Sequence, residues 1–180
     1  MGPWFTQLMR KLRGWLIGLI FLPAIVRAAD AVPMLKREAA KCAAAWQRRD
    51  LDGIISYLPP RFIVQSGGRA TVWRELREQF DQARALGAER MEARPGTPST
   101  PRQIAPWLVS VLPVTAIMHG AHMDLTQQTH VLALSSDQGK HWFFILLYGM
   151  TQTDLNASFP ELAGKIIIPT DPAPQADIIY

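Results

Sequence analysis

Residues 135–149 read SSDQGKHWFFILLYG. Asp137, Gln138 and Gly139 supply the chemistry of a tight polar turn. Trp142, Phe143, Phe144, Ile145, Leu146 and Leu147 then run without a break to Tyr148. In an extended strand successive side chains point to opposite faces. Trp142, Phe144, Leu146 and Tyr148 therefore share one face, and Phe143, Ile145 and Leu147 share the other. Both faces are apolar, so this strand must meet something other than water on each side.

The neighbouring stretches make it one strand of a meander. MDLTQQTHVLALS (123–135) alternates as a strand, and HGAH (119–122) reads as a hairpin turn in which Gly120 and Ala121 form a two-residue loop. IAPWLVSVLPVTAIM (104–118) is β-rich but interrupted by Pro113, which suggests an edge position or a bulge. AERMEARPG (88–96) reads as a first, edge-like strand, followed by a loop rich in proline.

Upstream of residue 88 the period changes to that of helices. In 33–50, Leu35, Ala39, Cys42 and Trp46 recur at spacings of four, three and four, with Pro33 suited to the first turn. A short helix follows, capped by Asp50 and stopped by Pro59 and Pro60, and then a brief extended piece, RFIV (61–64). The third helix spans 71–88, with Trp73, Leu76, Phe80 and Ala83 as its buried stripe and Gly87 at its end. Helices first and a meander last describe a segregated α+β fold, with N-terminal helices packed on a curved antiparallel sheet. One further short helix is expected within 156–169, and the proline-rich 170–180 reads as a flexible tail.

The first 29 residues read as a secretory signal peptide: Arg10, Lys11 and Arg13, a short apolar centre around 15–26, then small residues with cleavage points near Ala28 to Ala31. An uncleaved segment would be the chain's one membrane attachment. The formal net charge is +4, from 19 basic and 15 acidic residues. All the acids lie from Asp30 onward, whereas Arg10, Lys11, Arg13 and Arg27 fall in or beside the leader, so the mature chain is neutral overall. It lacks the basic footprint of a nucleic-acid binder. Cys42 is the single cysteine, so no intramolecular disulfide is available and the chain must rest on its apolar core. The expected product is a periplasmic or secreted single domain over residues 30–169.

The order of helix, short helix, LPPRFI (58–63), long helix and bent sheet resembles the nuclear transport factor two-like superfamily. AAAWQRRDLDGIISYLPPRFI (43–63) is similar to its usual opening. ALSSDQGKHWFFI (133–145) followed by FPELAGKIIIP (159–169) is similar to the ending of an exported, uncharacterised subgroup. The resemblance implies a cone-shaped α+β barrel in which the sheet wraps the long third helix and lines a cavity, and often a homodimer through the sheet face. A central strand would then meet helix on one side and cavity or partner on the other, which accounts for its two apolar faces. The implied pocket residues are Tyr57, Trp73, Trp107, His130, Trp142, Phe144 and Tyr148, around a small apolar or amphipathic ligand.

Chemistry is harder to find. The superfamily's enzymes place acids, a tyrosine or a His–Asp pair in the cavity, and none of those sets carries over complete. The candidate catalytic residues are His130 or Asp124 acting with Tyr148, as in a small isomerase or dehydratase. His119, His122 and Asp124 form the one cluster with metal-ligand character, but hairpin tips are commonly just polar, so no metal and no cofactor is assigned. The reading is a non-catalytic ligand-binding protein. The small enzyme and a protein-interaction module, dimerising through the sheet, remain the alternatives.

Overall fold

The computed structural model describes residues 28–178. Four helices come first: α1 (Ala28–Arg48), α2 (Leu51–Ser56), α3 (Pro60–Gln65) and α4 (Arg69–Ala85). Strands β1 (Ala88–Pro95), β2 (Arg102–Ile104), β3 (Trp107–Gly120), β4 (Met123–Ser135) and β5 (Phe143–Leu146) follow. Helix α5 (Gln152–Ser158), a 3-10 turn at Pro160–Leu162 and strand β6 (Gln175–Ile178) complete the chain. The strands form one six-stranded antiparallel sheet in the order β1-β3-β4-β5, with β2 paired to β3 and β6 to β4. The sheet is curled into a half-barrel, so the α+β class and the curvature read from sequence both hold.

Each face of the β5 strand meets its own helical layer. On the inner face, Trp142 and Phe144 join Leu108, Leu112 and Ala133 against Leu35, Ala39 and Cys42 of α1. On the outer face, Ile145 and Leu147 join Val109, Leu132 and Leu134 against Leu155, Phe159 and Leu162 of the C-terminal helical segment. Leu35, Leu132, Leu134, Leu155, Phe159 and Leu162 have no exposed surface. Burying a side chain of this kind contributes about 1.5–3 kcal/mol each, so the two layers fix the sheet from both sides. The C-terminal segment thus covers this part of the outer sheet surface.

The helix held by the sheet is α1, not the third one. Leu35, Ala39 and Cys42 face it as the spacing predicts, and Ala31 extends the stripe one turn further. The helix accordingly begins before Pro33, which lies within it. Helix α4 packs on the outside of α2 through Val72, Leu76 and Phe80, so its stripe runs through Val72 and leaves Trp73 half-buried. A spacing of four from Phe80 reaches both positions 72 and 76, and only tertiary contact chooses between the two neighbouring registers. Asp50 caps α2 as expected, accepting from Gly53 N at 2.9 Å. The piece RFIV is helical, not extended: Pro60 opens α3 instead of stopping α2. A proline without an N–H is as good an opening as an ending.

Pro113 stands on a central strand. It occupies the gap between β2, whose pairing ends at Arg102↔Val109, and β1, whose pairing begins at Pro95↔Val114. Val111 N already leaves the ladder there to bond Ser99 Oγ at 2.9 Å. By alternation, the nitrogen of Pro113 points into the same gap, where no donor is required. Gly120 remains inside β3, so the hairpin loop is Ala121–His122 and His119 pairs with Asp124, not with His122. A Cβ on Gly120 would stand 3.0 Å from Met123 O and 3.1 Å from Gly87 O, so the glycine serves a close backbone approach. The stretch read as a tail carries β6, which pairs Gln175–Ile178 with Thr126–Met123. Residues 1–27, and so most of the leader, lie outside the described residues. Among those described, no helix is long and apolar enough to cross a membrane.

Candidate functional site

Between α1, α2 and the inner sheet face lies a cavity of about 220 Å³. Its roof is Ala39, Cys42, Ala43 and Trp46 of α1, with Ile54 of α2 and Tyr57 and Leu58 just after it. Its floor takes alternate residues of the strands: Leu112, Val114 and Ala116 from β3, Thr129 and Val131 from β4, Phe144 and Leu146 from β5, with Met91 and Ala93 at the β1 wall. The small side chains of α1 make the space. Alanines at 39 and 43 leave room between helix and sheet that larger residues would fill. Asp50 turns the chain so that α2 closes the end.

Polar groups in this wall are turned away or already engaged. The Tyr57 ring packs against Phe144 at 5.8 Å, tilted by 46°, while its hydroxyl donates to Glu38 Oε2 at 3.3 Å. Burial first, and the Glu38 charge next, push the Tyr57 phenol above its usual range. Lys41, bonded to Glu38 Oε1 at 2.9 Å, holds that carboxyl below its usual range despite partial burial. Gln47 spends its amide on Ala93 O at 3.3 Å, tying α1 to β1. Burial pushes the Cys42 thiol up to about 12, so it is a neutral, apolar piece of lining rather than a nucleophile. Thr129, 3% exposed, donates to Asp171 Oδ2 at 2.8 Å.

Of the pocket residues read from sequence, Tyr57 and Phe144 line this cavity. Trp142 is buried beyond its end, donating Nε1–H to Gly139 O at 3.1 Å. Trp107 is on the outer face, where it donates to Glu161 Oε1 at 2.7 Å and packs edge-on to Phe159. Trp73 lies on α4 beneath the Arg77 guanidinium, 5.4 Å away. Tyr148 follows the end of β5 and is 54% exposed. Ala39, Cys42 and Trp46, the stripe of α1 read from the helical spacing, are in the lining as well, whereas Leu112, Thr129 and Val131 were given no face by the sequence.

His130 and Asp124, the alternative partners read for Tyr148, are each engaged by another side chain. His130 bonds Asp171 Oδ1 at 2.8 Å, and Asp124 bonds His119 at 2.8 Å. The two lie six residues apart on one strand, which is about 20 Å. His119 also approaches Glu92 Oε1 at 3.5 Å. Arg94 first, and then Arg90 and His119, hold the Glu92 carboxyl down, so this outer-face row is a charge ladder. His122 projects from the hairpin loop, exposed and out of register with His119. Among the described residues, no group of three or more His, Cys, Asp or Glu side chains is placed to hold a metal ion. No protein-family model, curated protein or solved structure matches the chain.

Proposed function

We propose that the chain is an exported member of the nuclear transport factor two-like superfamily that binds a small apolar molecule without transforming it. The element order and the curled antiparallel sheet support the superfamily. The basic, apolar and small-residue pattern of the first 29 residues supports export. The observation that carries the binding reading is the cavity itself: about 220 Å³ of space walled almost entirely by carbon, with its few polar groups satisfied elsewhere. An apolar cavity of about 150 Å³ stays dry and takes benzene. This one suits roughly ten heavy atoms, the size of a fused bicyclic ring or a short acyl chain. A charged ligand would lose its hydration there with no partner to replace it.

The test is a fluorescence titration with 2-naphthol, a neutral bicyclic probe, on the parent protein and on Ala116→Phe. The larger side chain fills the floor of the cavity. Saturable one-to-one binding by the parent, weakened at least tenfold in a folded variant, is the expected result. Equal binding by both proteins would place the probe elsewhere and refute the site.

A further inference from the structure

A second opening lies on the outer side of the sheet, away from the cavity under α1. It is a cleft of about 350 Å³ between the loop 96–101, β3 and the segment that follows the 3-10 turn. The loop is fixed along β3: Gly96 N donates to Pro113 O at 2.8 Å, and Ser99 N to Val111 O at 2.9 Å. Pro98 and Pro101 within it are buried. The cleft is therefore shaped before anything enters it. Its apolar walls are Val109 and Val111 of β3 with Ile166 and Pro169. Its polar lining supplies donors. Arg102 spends one N–H on Lys165 O at 2.6 Å. Arg61, Arg69, Arg77, Arg90 and Arg94 each stand beside an acid. Among the described residues Arg102 has no such partner, and no carboxylate lines the cleft. Most of the guanidinium fork is thus left for a ligand. Ser110, 2% exposed, gives its proton to Ser99 O at 2.7 Å. Ser99 Oγ accepts from Val111 N at 2.9 Å and still has its own proton to donate. Thr100, exposed beside it, adds a second hydroxyl.

We propose that this cleft is a second binding site, for a small carboxylate carrying a short apolar group. The carboxylate lies on Arg102 with the Ser99 and Thr100 hydroxyls, and the hydrocarbon lies against the valines. A planar guanidinium matches the two oxygens of a carboxylate. One free guanidinium balances one negative charge, and the apolar walls disfavour a strongly hydrated dianion. A fixed loop spares the ligand the cost of ordering it. The site requires nothing of the cavity under α1 and stands or falls apart from it.

Amide NMR titration with sodium benzoate at pH 7 and constant ionic strength tests it. Saturable shifts are expected at Thr100, Arg102 and Val111. Benzamide, of the same shape but neutral, and inorganic phosphate, charged but without an apolar part, should each bind at least tenfold more weakly. Arg102→Gln should weaken benzoate at least tenfold in a folded protein. If that variant does not fold, the comparison of benzoate with benzamide on the parent decides. Benzamide or phosphate binding as tightly as benzoate overturns the proposal. So does benzoate binding unmoved within about twofold by Arg102→Gln. Shifts confined to Leu112 and Val114 in the other cavity, or no saturable shift at all, overturn it as well.

Discussion

Asp137 shows how one side chain sets a turn. It accepts from Ser135 Oγ at 2.8 Å, from Lys140 N at 3.1 Å and from His141 N at 2.9 Å, and the His141 ring meets its other oxygen. Burial pushes this carboxyl up, but the His141 backbone and ring and the Ser135 hydroxyl outweigh it and hold it at about 2, against an ordinary 3.8. A carboxyl depressed on folding stabilises the native state above its unfolded value and loses that contribution as pH falls through the folded one. Asp137→Ala is therefore expected to cost about 1–3 kcal/mol at pH 7, and the difference from the parent should shrink from pH 4 toward pH 2. Urea denaturation at pH 7, 4 and 2.5 checks this. Gly139 beside it has φ +90°, and a Cβ there would stand 2.7 Å from Cβ of Ala31 on α1. Gly139→Ala should thus loosen the contact between turn and helix. Cys42 offers a second check: with its thiol pushed up to about 12, it should resist Ellman's reagent at pH 8 in the folded protein and react at once in urea. Prompt reaction of the native protein would contradict its place in the roof. These side chains were legible as types in the sequence, as a turn acid, a turn glycine and a core thiol. The neighbour of Gly139 was not, because Ala31 lies more than a hundred residues away.

At the level of elements, periodicity located the helices and strands and failed where one residue type serves two ends. Pro60 reads as a stop and acts as a start. Gly120 reads as a loop residue and belongs to a strand. Pro113 reads as an edge signal and stands in a central strand, because two partners leave a gap there. The exchange of α4 for α1 as the helix on the sheet has a different cause. Both carry an apolar stripe, and sequence does not say which stripe meets the strands. The consequence is measurable. Leu35→Ala on α1, with no exposed surface, is expected to cost about 2–5 kcal/mol. Trp73→Ala on α4, half-buried among helices, should cost less, about 1–2 kcal/mol. The reverse order in paired chemical denaturations would contradict the assignment of α1 to the inner face.

For the molecule as a whole, two helical layers on opposite faces explain how a short strand can be apolar on both sides. The outer layer is filled by Leu155, Phe159 and Leu162. The inner layer is incomplete, because α1 presents alanines where the sheet presents Leu112, Val114 and Val131, and the shortfall is the cavity. Sequence pointed to curvature and to Tyr57 and Phe144. It also put Trp73, Trp107 and Trp142 with the pocket, although Trp73 stood in a buried stripe, since a tryptophan that fills a core and one that lines a pocket follow the same pattern. The most direct test is methyl NOE spectroscopy of the protein with bound 2-naphthol. Contacts from the probe to the methyls of Leu112, Val114, Ala116 and Val131 are expected. Contacts confined to Leu147, Leu155 or Leu162 on the outer face, or none in a folded protein, would contradict the inner-face site.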